Sequence, residues 1–205
     1  RNIISIVRGG GLKTDGYYIE IAPDGIVLQA ESAKGAFWGA QTLRQIISQC
    51  GGKRLPALVI KDWPDFAARG LYYDVTRGRI PKTERLLELA EKLSHYKINQ
   101  LQFYIEHTFL FHGHSEIGKN ASPLTSGDIL DLDEFCRGRY IELVPSLASF
   151  GHLSGVLSLP RYRHLAEDWG IGKYVSPDAE KLPDWQRRIA WALSPANPEV
   201  YVFLD

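Results

Sequence analysis

Strand-like and helix-like segments alternate along the chain from Leu71 onward, and this alternation limits the possible folds more than any other feature of the sequence. Strands are predicted at residues 71–75, 98–105 and 140–147. Apolar residues at helical spacing lie between them: Leu86, Leu89, Ala90 and Leu93 in the first interval, and Ile129, Leu132 and Phe135 in the second. Alternating elements of this length imply right-handed crossovers and a parallel sheet, so we expect an α/β fold.

The first 61 residues follow a different pattern. Residues 17–21 alternate between apolar and polar side chains, Ala22-Pro-Asp-Gly25 has the composition of a tight turn, and residues 26–29 return as a second strand. A helix is predicted over residues 32–48, with its apolar side chains on the buried face of the hairpin: Phe37, Ala40, Leu43, Ile46 and Ile47. We therefore predict a small α+β sandwich domain over residues 1–61 and a second domain over residues 62–205.

The second domain is predicted to be incomplete. A parallel sheet needs helices on both faces or closure into a barrel, and the strands predicted here are too few for either. The stretch from Trp169 to Trp191 has loop and helix patterns and supplies no further strand. Asn197-Pro-Glu199 has the pattern of a helix start, and the sequence ends within that helix. We expect the chain to be part of a longer polypeptide.

The charge balance restricts the class of partner. The chain has 24 Lys plus Arg and 24 Asp plus Glu, so no net field attracts nucleic acid or an anionic membrane surface. No apolar run approaches the roughly 18 residues of a membrane span. Cys50 and Cys136 lie outside any zinc-binding spacing, and two unpaired thiols are expected. The composition therefore favours a neutral ligand, with no nucleic-acid or membrane partner. No cofactor is predicted.

Charged residues gather where the strand at residues 71–75 ends. Asp74, Thr76, Arg77 and Arg79 follow one another closely there. In a parallel α/β barrel the active site is assembled at the carboxyl ends of the strands, which makes Asp74 and Arg77 site candidates. A salt-bridged turn without catalytic function has the same composition, and the residues alone leave both interpretations open.

Five motifs, in order, resemble the β-N-acetylhexosaminidases of glycoside hydrolase family 20. The first is Gly35-Ala-Phe-Trp-Gly-Ala-Gln-Thr-Leu-Arg-Gln45, and the second is Arg69-Gly-Leu-Tyr-Tyr-Asp-Val-Thr-Arg77. Lys97-Ile-Asn-Gln-Leu101, Phe150-Gly-His152 and Asn197-Pro-Glu-Val-Tyr201 follow. In that family an accessory α+β domain precedes a (β/α)8 barrel. The resemblance implies that residues 62–205 form the first three βα units of an incomplete TIM barrel.

The resemblance also implies roles for individual residues. Arg77 matches an arginine that binds hydroxyls of the terminal sugar, for which a planar guanidinium is well suited. His152 matches a histidine behind the general acid that links to a carboxylate on the second barrel strand. That strand ends here in Tyr104-Ile-Glu-His107, where family members have aspartates. Charge favours Glu106 as the supporting carboxylate and register favours His107, which is then a substrate-binding candidate.

The catalytic pair of the family is an Asp-Glu dipeptide at the end of the fourth strand, a point that Asp205 precedes. In the family mechanism the 2-acetamido oxygen of the substrate attacks the anomeric carbon, the Asp orients the amide, and the Glu protonates the leaving oxygen. We expect this chain alone to be inactive and the full-length protein to be an exo-β-N-acetylhexosaminidase. Its expected partner is a carbohydrate with a terminal N-acetylglucosamine or N-acetylgalactosamine. The resemblance favours a secreted or periplasmic protein.

Three alternatives remain open at this stage. The protein could be a non-catalytic carbohydrate-binding barrel, or a related barrel glycosidase that acts on a different sugar. His107, His112, His114 and Glu116 could also be read as metal ligands, because imidazole and carboxylate suit zinc or manganese. Their spacing matches no recognised metal motif, so we predict no metal site and expect the loop to form a wall of the sugar pocket.

Overall fold

The computed structural model describes residues 3–51, 54–167 and 192–205. Its strands are β1 (Ile3–Arg8), β2 (Tyr17–Ala22), β3 (Gly25–Ala30), β4 (Leu58–Asp62), β5 (Gly70–Asp74), β6 (Gln100–Ile105) and β7 (Glu142–Leu147). Its helices are α1 (Ala33–Gln49), α2 (Thr83–His95), α3 (Ser126–Arg137), α4 (Ser154–Leu157) and α5 (Pro198–Leu204), with a 3-10 turn at Arg163–Leu165. Trp169, Trp185 and Trp191 lie outside the described residues.

The first sheet has the strand order β1-β3-β2-β4. β2 and β3 form the predicted antiparallel hairpin, closed by the pairing of Ala22 with Gly25. The apolar stretch from Leu55 to Ile60 predicts one more strand in this domain, but β4 begins only at Leu58. The physical reason is Pro56, which has no N–H to donate to the neighbouring strand.

Helix α1 covers the hairpin, as expected, but it buries a partly different face. Ile47 was predicted to be buried and is 36% exposed, whereas Trp38 is buried. Gly39 explains the difference, because a Cβ at this position would lie 2.4 Å from Cδ1 of Leu28. The absence of a side chain there lets the helix approach the sheet closely and sets which face is buried.

The second sheet has the order β5-β6-β7, and its strands run parallel. At the start of β6, the Asn99 N–H donates to the Arg69 carbonyl at 3.0 Å, and near its end the Val75 N–H donates to the Tyr104 carbonyl at 3.3 Å. The Glu142 N–H donates to the Asn99 carbonyl and the Ala148 N–H donates to the Ile105 carbonyl, both at 3.0 Å, so β7 runs parallel to β6 as well. The predicted parallel pairing of these strands is confirmed.

Two helix starts follow patterns of the sequence, a capping box in Thr125-Ser-Gly-Asp128 and the N-cap predicted at Asn197, and both caps are formed. The Asp128 carboxylate accepts from the Thr125 N–H at 2.8 Å, and the Thr125 hydroxyl accepts from the Asp128 N–H at 3.2 Å, which forms the capping box of α3. The Asn197 side chain accepts from the Glu199 N–H at 3.0 Å, and Pro198 occupies the first turn of α5.

The chain divides into two compact units. The first comprises the described residues of Arg1–Leu71, Glu84–Leu101 and Asp133–Leu143. Its core includes Tyr17, Ile19, Leu28, Trp38 and Leu43.

The second unit comprises the described residues of Tyr72–Thr83, Gln102–Leu132 and Val144–Asp205. Its core includes Ile117, Leu153, Leu157, Tyr162 and Val200. The candidate site residues belong to this unit.

Two further findings concern the described residues. None of their helices has both the length and the apolarity that a membrane crossing requires. Cys50 and Cys136 are both free thiols, as predicted. Burial raises the pKa of the Cys136 thiol to about 11.

Candidate active site

The turn after β5 is built around Asp74. One carboxylate oxygen of Asp74 accepts from the backbone N–H groups of Thr76 at 2.8 Å and Arg77 at 3.1 Å. The other oxygen accepts from Nη1 of Arg77 at 2.5 Å. Partial burial opposes ionisation of Asp74, but the hydrogen bonds from Arg77 and Thr76 outweigh it and hold the pKa of this carboxyl below its ordinary value. The salt-bridged turn, which the sequence left open as one interpretation of these residues, is therefore present.

Arg77 also reaches the neighbouring strand. Its Nη2 donates to Oε1 of Glu106 at 3.0 Å, so one guanidinium joins two carboxylates. Glu106 is fixed at its backbone as well, because its N–H donates to the Thr76 hydroxyl at 3.0 Å. The hydrogen bond to Asp74 and the contact with Tyr104 raise the pKa of Arg77 above its ordinary value, and the side chain stays charged at any working pH.

His152 completes the cluster. Its Nδ1 lies 3.9 Å from Oε1 of Glu106, which is within ion-pair range but too long for a hydrogen bond. The residue has φ of +59°, in the left-handed region that residues other than glycine rarely adopt. The backbone of His152 thus has an uncommon conformation, and its imidazole lies beside the Glu106 carboxylate.

His107 lies in a different environment from Glu106. A Cβ built at Gly155, in α4, would lie 3.3 Å from the His107 ring, so the imidazole packs against that backbone. Its buried Nδ1 has no hydrogen-bond partner in the described part of the chain. Adjacent residues of an extended segment point in opposite directions, which explains why Glu106 alone joins Arg77 and His152.

Tyr104 is a member of the cluster that sequence reasoning missed as a site residue. Its hydroxyl donates to Oε1 of Glu106 at 2.6 Å. Cζ of Arg77 lies 4.9 Å from the centre of its ring. Its distance of two residues from Glu106 could have indicated this role, because residues two apart on a strand share a face.

The long loop after β6 forms part of a cavity of about 460 Å³ that Glu106 also lines. Phe111, His112 and His114 contribute loop side chains to it, and Leu147 and Phe203 add apolar surface. Nδ1 of His114 lies 2.8 Å from the Tyr162 hydroxyl, a contact that anchors the loop. Within residues 3–51, 54–167 and 192–205, no cluster of three or more His, Cys, Asp or Glu side chains could hold a metal ion.

Comparison with known proteins identifies the family. Residues 2–63 match the family model described as glycosyl hydrolase family 20, domain 2. A β-hexosaminidase of Vibrio furnissii is 34% identical over 217 residues, an alignment that covers 92% of this chain and 34% of the relative. The chain belongs to glycoside hydrolase family 20. An N,N'-diacetylchitobiase of Vibrio harveyi is 26% identical over 85% of this chain and 23% of its own length.

Solved structures of family 20 proteins share the fold. An exo-β-N-acetylglucosaminidase from Vibrio harveyi superposes with a TM-score of 0.80 at 20% identity, over 98% of this chain and 34% of that one. A Streptomyces plicatus β-hexosaminidase gives a TM-score of 0.77 at 21% identity, over 98% of this chain and 43% of that one. This family 20 chain therefore spans less than half of each structure, and about a third or less of the two curated relatives named above.

Proposed function

We propose that this family 20 chain is part of an exo-acting β-N-acetylhexosaminidase that removes terminal N-acetylglucosamine or N-acetylgalactosamine from a carbohydrate. The observation that carries the proposal is the cluster of Arg77, Glu106 and His152 beyond the ends of β5, β6 and β7. A guanidinium, a carboxylate and an imidazole can together bind sugar hydroxyls and support proton transfer. The β-hexosaminidase names of the relatives point to the same substrate class.

The proposal includes an architecture. β5, α2, β6, α3 and β7 belong to the first three βα units of a (β/α)8 barrel over residues 62–205, preceded by an accessory domain over residues 1–61. The parallel order β5-β6-β7 supports the barrel, and the family match to residues 2–63 supports the boundary. Grouping by contacts instead joins parts of α2 and α3 to the N-terminal residues.

Arg77 binds the sugar in this proposal. Nη1 and Nη2 each give one hydrogen to a carboxylate, and a guanidinium has five N–H donors in all. The remaining hydrogens are available to hydroxyls of the terminal sugar. His107 forms no hydrogen bond or ion pair with Arg77 among the described residues. Its imidazole packs against the Gly155 backbone, and it is not one of the residues that line the cavity, so its substrate-binding role is proposed from register alone.

Glu106 and His152 form the supporting relay. A separation of 3.9 Å between Glu106 and His152 closes to hydrogen-bond distance with a small side-chain rotation, and such bonds often tighten only when substrate is bound. The imidazole can then pass a hydrogen bond from the Glu106 carboxylate to the general acid.

The general acid and its Asp partner do not come from the one Asp-Glu dipeptide of this sequence. Asp133-Glu134 lies within α3, and Asp133 pairs with Arg137 at 2.6 Å. We place the acid pair in a part of the full-length protein beyond residue 205. Catalysis then follows the substrate-assisted route, in which the acetamido oxygen attacks the anomeric carbon as the glycosidic bond breaks and the acid protonates the departing oxygen.

The test is hydrolysis by the full-length protein. Aryl β-N-acetylglucosaminide and aryl β-N-acetylgalactosaminide are assayed beside a panel of other aryl β-glycosides. We expect turnover of the N-acetylhexosaminides. Binding of the sugar without turnover would support a non-catalytic carbohydrate-binding barrel instead. Preference for another sugar would support a glycosidase of different specificity, an alternative suggested by Glu106-His107 at the strand end where family members have aspartates.

A further inference from the structure

Tyr104 contacts Arg77, Glu106 and His152. Its hydroxyl donates to Oε1 of Glu106 at 2.6 Å, and its ring centre lies 4.9 Å from Cζ of Arg77. The His152 ring stands edge-on to it, with ring centres 6.4 Å apart and an angle of 86° between the planes. In the described part of the chain, these three residues thus share one aromatic neighbour.

The hydrogen bonds on Glu106 are unevenly divided between its two oxygens. Oε1 accepts from both Tyr104 and Arg77, whereas Oε2 has no hydrogen-bond partner among the described residues. The side chain is 13% exposed. Two donors that meet at one oxygen restrict rotation of the carboxylate, and the second oxygen is left as an acceptor on a residue that lines the cavity.

The phenol is a dependable donor at neutral pH. Burial and the hydrogen bond to Glu106 raise the pKa of Tyr104 above its ordinary value, so the hydroxyl keeps its proton. The charged guanidinium of Arg77 near the ring face adds an attraction that holds the ring in place. Tyr104 and Glu106 lie two residues apart, so the end of β6 directs both side chains to the same side.

We propose that Tyr104 is a positioning residue of the candidate site, which fixes Glu106 through Oε1 and so presents Oε2 to a polar group of the ligand. The kinetic part of its test rests on the proposed hexosaminidase activity. The structural part does not, because it concerns the orientation of the Glu106 carboxylate.

Tyr72 provides a matched control. It lies on β5, its ring centre is 6.1 Å from that of Tyr104, and its hydroxyl lies 3.3 Å from Oγ of Ser146. Tyr72→Phe removes a tyrosine hydroxyl from the same pair of rings without removing a hydrogen bond to Glu106 or Arg77. A general loss of packing or polarity in the ring pair would affect both variants.

The kinetic experiment uses the full-length protein with Tyr104→Phe, Tyr72→Phe, Glu106→Gln and the double variant Tyr104→Phe/Glu106→Gln. We expect Tyr104→Phe to lower kcat about tenfold and to change KM by less than about twofold. A change of this size corresponds to the loss of one hydrogen bond to a charged group. Tyr72→Phe should retain the wild-type kcat. In the Glu106→Gln background, Tyr104→Phe should have no further effect, because the two residues act through one contact.

The structural experiment is a pair of crystal structures, of the full-length wild type and of Tyr104→Phe. In the wild type, we expect the Glu106 carboxylate to accept a hydrogen bond from the Tyr104 hydroxyl. In Tyr104→Phe, we expect the carboxylate to rotate away from that orientation. If it turns while the wild type hydrolyses no hexosaminide, the positioning role holds and the proposed function fails. If the wild type is active but neither the carboxylate nor kcat changes in Tyr104→Phe, the positioning role is wrong. The positioning role would also be wrong if the separate effects of Tyr104→Phe and Glu106→Gln on kcat multiplied in the double variant.

Discussion

At the scale of single residues, Arg77 is the group on which the candidate site depends. It pairs with Asp74 through Nη1 and with Glu106 through Nη2, so a single positive charge offsets part of the repulsion between two carboxylates. The Asp74 contact forms the turn, and the Glu106 contact joins that turn to the next strand. In the proposed site, the Arg77 side chain thus serves both the turn-forming ion pair and ligand binding.

Arg77→Ala in the full-length protein should lower kcat/KM at least about a hundredfold, because it removes two charge-assisted hydrogen bonds and leaves both carboxylates unpaired. Arg85→Ala is the control, because Arg85 is 72% exposed and pairs with Glu88 on the surface of α2. Steady-state kinetics on an aryl N-acetylglucosaminide measure both variants. An unchanged kcat/KM in Arg77→Ala would remove this residue from the site.

At the scale of elements, α3 begins with a cap that joins two segments of the second unit. The Asp128 carboxylate accepts hydrogen bonds from Thr125 and from the hydroxyl of Thr83 at the start of α2. The bonds from Thr125, followed by that from Thr83, lower the pKa of Asp128 below its ordinary value. One carboxylate therefore stabilises the first turn of one helix and the entry to another.

Asp128→Asn should reduce the free energy of unfolding by about 1 kcal/mol at pH 7, the typical value of a helix cap. The folded-state pKa is depressed, so this stability is present above the unfolded pKa near 4 and is lost as the pH falls through the folded value. The difference between wild type and variant should shrink accordingly below about pH 4. Urea unfolding of the full-length protein at several pH values measures it.

Asp131→Asn is the matched control, on the same helix and exposed. Its side chain makes no hydrogen bond within the part of the chain that the structure describes. Equal losses of stability in the two variants, or a constant difference from pH 7 to pH 3, would contradict a specific role for the cap.

A second connection between elements lies within the first unit. The Lys97 ammonium donates to the Tyr17 hydroxyl at 2.6 Å and to Oδ2 of Asp62 at 3.1 Å. Tyr17 is also bonded to the Thr42 hydroxyl at 2.6 Å, so β2, α1 and β4 share one polar network with the residue that follows α2. Burial of Tyr17, followed by its hydrogen bond to Asp62, raises its pKa above the ordinary value.

Lys97→Met should lower the free energy of unfolding by about 1 to 3 kcal/mol, because it removes a charged donor from a buried hydroxyl and a carboxylate. Lys61→Met, at an exposed position on β4, should change it by less than about 0.5 kcal/mol. Chemical unfolding of the two full-length variants gives the comparison. Equal values would show that the network adds no stability.

At the scale of the whole molecule, the proposed mechanism makes a demand on the substrate. The nucleophile is the acetamido oxygen of the substrate, so the protein needs no nucleophilic side chain. The Arg77 guanidinium, the Glu106 carboxylate and the His152 imidazole serve binding and proton transfer in this scheme. The substrate must therefore carry the amide at the 2-position.

The full-length protein should hydrolyse an aryl β-N-acetylglucosaminide and leave the matching aryl β-glucoside intact, with kcat/KM lower by at least about a thousandfold, because the reaction lacks its internal nucleophile. Initial rates with the two substrates measure the ratio. Comparable rates would point to a protein nucleophile and exclude the substrate-assisted route. A third substrate serves as a control for the role of the acetamido oxygen. It is the aryl N-acetylglucosaminide in which sulfur replaces that oxygen.

The order of strands and helices from β2 to β7, the hairpin turn at Ala22–Gly25, the Thr125 capping box and the Asn197 cap were predicted from the sequence. Each depends on residues within a few positions of one another, and local backbone preferences determine it. The parallel pairing of β5, β6 and β7 was also predictable, because the helices between them leave no other short connection.

The tertiary structure alone decided which side chains meet. Alternation along β6 predicts that Glu106 and His107 point in opposite directions, but only the Thr76 and Arg77 contacts show that Glu106 is the one that faces the candidate site. Spacing also places Tyr104 and Glu106 on one side, and the tertiary structure adds the hydrogen bond between them. The buried face of α1 depended on how near Gly39 lets the helix come to Leu28, a distance set by residues remote in sequence. Such contacts arise from packing between elements, which local patterns do not encode.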